Sequence, residues 1–350
     1  MQPMRRITFI SFLITVSLYS WGQEKRYKFL ETRPINEKFI VDYSDRLSIK
    51  IFGIVKTNQI AHVNHETDKK LEYRPNESLN IGLGIGYKWF GLDAAFNFGG
   101  VNNDDDKFGK TKRFDFRPSI YTRKFAMDIN IQKYKGYYLY NPEDYISGFN
   151  ASGSYPIRSD IKTYRYGASL LYVLNHAKFS YRAAFIYNER QVKSAGSFLV
   201  GPYFSYFRMD ADSTLIIPEA ESEFDLSQDF RGSEYIRYGL AGGYGYNLVL
   251  GHRVFVSLSL VLGLGPEIKK TPAINGFLSD TESKFTGRLA TRIAIGYNAP
   301  KFFFGMSAAG VYAGERDETE DFLERGVSHA KFFVGKRFNP PKLFLPKRGK

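Results

Sequence analysis

The chain has 350 residues, a formal net charge of +13, aromatic residues at 17%, 32 glycines and no cysteine. The missing cysteines exclude thiol nucleophiles, disulfides and thiolate metal sites. After the first 22 residues no segment offers 18 consecutive apolar residues, which excludes membrane-spanning helices but not a barrel, whose alternating strands hide their apolar content.

The N-terminus reads MQPMRRITFISFLITVSLYSWGQ, with Arg5 and Arg6 before an apolar run from Ile7 to Tyr19 and a Ser20-Trp21-Gly22 site. This is the pattern of a secretory signal peptide over residues 1–22. Cleavage would leave 328 residues (350 minus 22) for export through the periplasm. Residues 23–45 are mixed and charged and read as a periplasmic lead-in, with a segment tucked into a barrel as the alternative.

The first strand is expected at about 47–58, where Leu47, Ile49, Ile51 and Val55 alternate with Ser48, Lys50 and Lys56. After a polar loop, Leu79, Ile81, Leu83, Ile85, Tyr87 and Trp89 take every second position against Asn80, Gly82, Gly84, Gly86 and Lys88. The chain reverses near Phe90 and Gly91, and Leu92, Ala94, Phe96 and Phe98 repeat the rhythm against Asp93 and Asn97. One face of this hairpin is apolar and the other small or polar. The glycine row is expected to leave room inside for long arginine side chains.

Phe114, Phe116 and Ile120 then alternate with Asp115, Arg117 and Ser119, and Phe125, Met127, Ile129 and Ile131 with Asp128, Asn130 and Gln132. Tyr164 to Tyr172 form the next strand. Asn175 to Ala177 are read as a tight turn into a returning strand of Phe179, Tyr181, Ala183, Phe185 and Tyr187. A strand at about 197–208 is followed by a brief TLIIP strand ended by Pro218, then by alternating rows from Ile236, Val254, Phe285 and Phe302. The last strand, about 326–338, ends in Phe338, before Pro340 and Pro341 stop pairing.

The expected architecture is all-β: a transmembrane antiparallel β-barrel of about 14 strands, or 12, over residues 46–338, with short periplasmic turns and long outer loops. TLIIP is counted because both termini of such a barrel face the periplasm, which requires an even number. Residues 339–350 form a basic periplasmic tail, in which Lys342, Lys347, Arg348 and Lys350 read as solvated. No nucleic-acid partner is expected. Membrane lipid and lipopolysaccharide are, as is the barrel-assembly machinery through the C-terminal strand. The location implied is the bacterial outer membrane.

The inward row collects Asp93, Asp115, Arg117, Asp128, Arg165, Arg182, Arg237, Arg288 and Arg292, the candidates for lining the lumen. They fit a packed, stabilising interior or an anion-preferring pore. His62 and His65 form an HxxH without further ligands nearby, and Ser328 and His329 are adjacent strand residues that point to opposite faces. Asp104, Asp105 and Asp106 read as a solvated turn. No catalytic, cofactor-binding or metal-ligating set is therefore expected. Tyr137, Tyr138 and Tyr140 are candidates for surface contact with a glycan or protein, unless their loop folds over the mouth and buries them.

YRPN at Tyr73–Asn76 followed by GLGIGYKWFGL at Gly82–Leu92, SAGSFLVG at Ser194–Gly201, LIIP at Leu215–Pro218 and GKRF at Gly335–Phe338 carry a resemblance. The chain resembles the Bacteroidota outer-membrane barrel family called domain of unknown function 4421. The resemblance implies a location and a fold but no activity and no functional residue. The expected function is a narrow, porin-like channel or a structural surface protein. The alternatives are a lipid-modifying barrel enzyme and a binding module using the loop Tyr134–Tyr145.

Overall fold

Apolar residues at every second position leave only two ways to satisfy the backbone in lipid, and period 2 selects strands closed into a barrel. The computed structural model describes residues 35–77, 79–96, 104–226, 230–270, 281–313 and 321–339, all within the unit Thr32–Lys350. The signal peptide, most of the lead-in and the tail beyond residue 339 lie outside the described residues.

In chain order the strands are β1 (Ile40–Asp42), β2 (Leu47–Val63), β3 (Lys70–Arg74), β4 (Asn80–Tyr87), β5 (Phe90–Phe96), β6 (Lys112–Phe116), β7 (Ser119–Tyr121), β8 (Phe125–Leu139) and β9 (Ile157–Val173). They continue with β10 (Glu189–Gln191), β11 (Ala195–Asp210), β12 (Glu234–Leu250), β13 (Val254–Lys270), β14 (Thr281–Asn298), β15 (Phe302–Ala313) and β16 (Phe322–Phe338). Two short helices, α1 (Asp105–Phe108) and α2 (Tyr181–Phe185), lie between them.

Antiparallel pairing runs from β16 back through β15, β14, β13, β12, β11, β9 and β8, then through β7, β5 and β4 to β2. β16 pairs with β2 from Phe338↔Leu47 to Phe322↔Val63, which closes the sheet. β6 and β7 act as one strand along β8, interrupted at Pro118, whose ring removes a ladder donor. With that pair counted once, the barrel has 12 strands, the smaller of the two expected counts. β3 is an extra strand bridging β2 and β8, and β1 pairs only with β10.

Two expected strands account for the difference. TLIIP is not a strand: Leu215 and Ile216 are buried in a loop that continues into a 3-10 turn at Pro218–Glu223. The returning strand Phe179–Tyr187 is instead helix α2 within the connection from Val173 to Ala195, so Asn175–Ala177 is not a tight hairpin turn. β11 therefore pairs directly with β9 and runs opposite to the expected direction.

The alternation itself appears as read. Val254, Leu258, Leu260, Leu262 and Leu264 are exposed on β13, while Phe255, Ser257, Ser259 and Val261 are buried. At about 3.4 Å per residue and a tilt near 40°, the row Val254–Leu264 covers about 26 Å of height, close to an apolar belt of about 25 Å. Aromatic pairs flank it beside the short turns, with Phe125–Tyr172 and Tyr297–Phe304 both at 5.3 Å.

Candidate functional site

The inward faces meet three layers of side chains. The layer nearest the chain termini is built by the connection between β9 and β11, which folds into the barrel. Ser180 caps α2 by accepting from the Ala183 amide at 2.9 Å, the bond expected of a serine at a helix start. The helix presents Arg182 to Glu189, whose carboxylate is fully buried and also accepts from Arg123 and Ser180. The pairs measure 2.6 Å to Arg123 and 2.9 Å to Arg182. Burial pushes the Glu189 carboxyl upward, but the two guanidiniums and the serine outweigh it and hold it below the ordinary range.

Strands around the circumference hold this plug. Arg182 and Asn188 donate to the carbonyl of Lys88, Asn247 donates to Ser180 O at 2.8 Å, and Asn298 donates to Glu189 O at 3.0 Å. Tyr187 stacks on Phe303 with an interplanar angle of 4°, and Arg337 donates to the Tyr187 carbonyl. Tyr187 has φ 67, a left-handed conformation that costs a non-glycine residue about 1–2 kcal/mol, so these contacts hold a strained turn. The lead-in joins the same layer through Asn36 N to Ala177 O at 3.0 Å and through the β1–β10 pairing.

The middle layer is ionic. Asp93 is shared by Lys50 at 3.0 Å and Lys331; Asp115 is shared by Lys56 at 2.6 Å and Arg117 at 2.8 Å. Asp128 pairs with Arg292 at 2.6 Å and accepts from Ser119 and Tyr121. Five cations thus meet three carboxylates. A cavity of about 40 Å³ lies at the junction with the plug, lined by Lys50, Gly84, Asp93, Arg117 and Ile186 among others.

The layer toward the long loops begins with Glu267, bound by Arg237 at 2.5 Å and Arg325 at 2.9 Å. Above it, Ile60, Leu71, Tyr73, Tyr137, Leu139, Phe207, Leu215, Ile216 and Phe230 form one buried apolar cluster. The loop after β11 closes the mouth, and Tyr73 donates to its Leu215 carbonyl at 2.5 Å. Asp321 clamps this lid: it accepts from His62 and His65 at 3.1 Å and from the Asp225 amide at 2.9 Å. Burial raises the Asp321 carboxyl, yet those donors leave it well below the usual carboxylate range.

Each expected residue now has a place. Asp93, Asp115, Arg117, Asp128 and Arg292 meet in the middle layer, and Arg237 in the layer above. Arg165 lies over the Phe207 ring at 4.4 Å and Arg288 over Tyr203 at 4.8 Å. Arg182 is inside the barrel but on α2, not on a strand. The glycine row accommodates other groups than arginine: a Cβ on Gly82 would meet Phe52, one on Gly84 would meet Lys50 and Asp93, and Gly86 faces Ile186 of the plug. Tyr137 is buried against Thr163 and is not a surface residue, Tyr138 is half-buried, and Tyr140 is exposed beside Arg74. His329 accepts from Arg117 at 3.2 Å.

Sequence reasoning missed Lys50, Lys331, Glu267, Arg325 and Arg337 as lumen groups, although all stand at inward parity. It also missed Glu189 and Asp321, which lie outside any alternating row.

No curated protein matches the chain in sequence. Among solved structures it is similar to the outer membrane protease OmpT from Escherichia coli, with a TM-score of 0.30 and 9% identity over 88% of this chain and 98% of that one. It is also similar to the toluene transporter TodX of Pseudomonas putida (TM-score 0.28, 9% identity, 85% and 90% covered). OprG from Pseudomonas aeruginosa gives a TM-score of 0.22 at 10% identity, with 85% and 98% covered. The family description "Domain of unknown function (DUF4421)" matches residues 35–338, and the chain, a closed antiparallel β-barrel, belongs to that family.

Proposed function

We propose that this protein is a non-conducting barrel of the bacterial outer membrane, a structural surface protein with the termini and the plug on the periplasmic side. The observation that carries the reading is the filled lumen: a hydrogen-bonded plug, an ion-pair layer and an apolar lid follow one another along the barrel. The outward apolar belt and its aromatic borders support a membrane location. Short connections at 88–89, 122–124, 251–253 and 299–301 share an end with both barrel termini, which supports the assigned orientation.

Purified protein in planar bilayers tests this. The expected trace stays at the empty-bilayer baseline, with liposome-swelling rates equal to those of protein-free vesicles. Stepwise conductance from the wild-type protein would overturn the reading and favour a narrow channel; the excess of cations in the middle layer would then give it anion preference.

A further inference from the structure

Beyond the apolar belt, the outward row of β8 changes abruptly. Phe125, Met127, Ile129 and Ile131 are followed by Lys133 and Lys135. Register places Lys135 directly beside Lys112 of β6 on one side and Lys162 of β9 on the other. Neighbouring strand residues on one face stand about 4.5–5.5 Å apart, and Lys133 lies one two-residue step of about 6.7 Å closer to the belt. Four ammonium groups therefore share one small patch of the outer wall.

Like charges placed directly opposite one another on a sheet are destabilising. Among the described residues none of the four lysines has a carboxylate in ion-pair range. Elsewhere on the rim, several described charges are matched: Arg208 binds Asp210 at 2.9 Å, Lys70 binds Glu324 at 2.5 Å, and Lys270 faces Glu234 at 4.0 Å. Asp210, the neighbour of Lys162 on β11, is thus already taken by Arg208.

The patch also has a defined height. Tyr164 and Tyr166 of β9 and Tyr206 of β11 point outward just below it, Tyr166 and Tyr206 stacked at 5.6 Å and Lys133 over the Tyr164 ring at 5.8 Å. Tyrosines at the end of a lipid-facing row mark the interface, where headgroups begin. Immediately after Lys135 the strand bulges at Gly136, whose φ of 96 and close approach to the Lys110 carbonyl admit no side chain, and Tyr137 turns inward. The lysine row ends there.

We propose that Lys112, Lys133, Lys135 and Lys162 form a binding site for the phosphates of an outer-leaflet lipid headgroup, the phosphorylated disaccharide of lipopolysaccharide. The inference rests on the membrane location and orientation argued above. The missing counter-charge lies at the depth where such phosphates sit, and a lysine is a point charge suited to a phosphate oxygen. Acyl chains of the same lipid would run down the Ile131, Ile129 and Tyr166 wall.

Native mass spectrometry of the full chain in detergent tests the site, with bisphosphorylated lipid A as probe and the same lipid stripped of phosphate as its control. The phosphorylated lipid is expected to remain bound at least tenfold more than the stripped one, and less so as salt rises. Lys112→Gln/Lys135→Gln/Lys162→Gln should abolish that preference, and 10 mM inorganic phosphate should not compete. Equal retention of both lipids by the wild-type protein would overturn the proposal without relying on any variant, and displacement by inorganic phosphate would reduce the patch to a general anion site and overturn it as well. Flotation of the protein with phosphatidylcholine vesicles reports separately on the membrane reading, so a floating protein without phosphate preference refutes this inference alone.

Discussion

Replacing Glu189 by glutamine removes one charge and one acceptor oxygen from the plug at nearly unchanged volume, and the structure sets the cost. The carboxylate is fully buried and satisfies two guanidiniums that are themselves almost inaccessible, Arg123 at 2.6 Å and Arg182 at 2.9 Å. Breaking a buried pair by neutralising one partner costs about 3–5 kcal/mol, because the remaining charge has no water to return to. That corresponds to roughly a hundredfold or more in the unfolding constant. Urea unfolding in micelles, followed by Trp89, measures it, since Trp89 is the only tryptophan after residue 22 and adjoins Lys88, whose carbonyl binds the plug. The companion Arg123→Met/Arg182→Met/Glu189→Met should recover most of the loss, as an apolar set of similar volume carries no buried charge. Lys88 O would still accept from Asn188. A Glu189→Gln loss below about 1 kcal/mol, or a triple variant worse than the single one, would refute this account of the plug.

Other expectations follow from the same geometry. The folded carboxyl of Glu189 is depressed, so its stabilisation is fully present above an unfolded glutamate value near pH 4.3 and fades as pH falls through the lower folded value. Urea midpoints from pH 7 to pH 3 should show this acid limb in the wild type and a weaker one in Glu189→Gln. Asp321→Asn leaves His62, His65 and the Asp225 amide with a poorer acceptor at about 1–3 kcal/mol, and brief proteolysis should then cut within residues 211–226 faster than in the wild type. Gly82→Ala would set a Cβ 2.3 Å from the buried Phe52 ring and 2.6 Å from Ala94 O, an overpacking of about 1–3 kcal/mol readable in the same urea assay. Leu260→Arg, in the middle of the exposed β13 row, should cost about 2–4 kcal/mol in vesicles; an unchanged midpoint there would contradict a lipid-facing wall.

The wall was legible because period 2 is a strong signal when one face meets lipid. Leu258, Leu260 and Leu262 against Ser257, Ser259 and Val261 fix both strand and facing, and the parity that puts Asp93 and Arg292 inward also puts Lys331 and Arg337 there. The plug was hidden by the same rule. Phe179, Tyr181, Ala183, Phe185 and Tyr187 alternate well enough for a strand, yet they pack inside the lumen, where both sides of the segment meet protein. Period 2 then reflects nothing about a face, and the Ser180 cap decides for a helix. TLIIP failed for a related reason: Leu215 and Ile216 are apolar because they cover the barrel mouth. Omitting these two segments preserves an even count, which is why parity pointed to the right class of architecture with the wrong members.

The two closures differ in chemistry, and that bears on whether one event can open the barrel. The plug is held by buried charges and by donors from the β7–β8 turn and from β12, β14 and β16, so acid or loss of Glu189 weakens it. The lid is held mainly by the apolar cluster around Tyr73, Leu215 and Phe230, which loss of Glu189 does not touch, whereas acid also reaches its Asp321 clamp. Between them, Asp128–Arg292 ties β8 to β14 across the lumen, Asp93–Lys331 and Asp115–Lys56 join strands three apart around the barrel, and none of these pairs includes a residue of the plug or the lid. A path through the lumen therefore needs a rearrangement in each of the three layers. Glu189→Gln, although strongly destabilising at the plug, should accordingly remain silent in planar bilayers. Conductance from that variant alone would mean that the plug is the sole barrier and that the barrel is built to open.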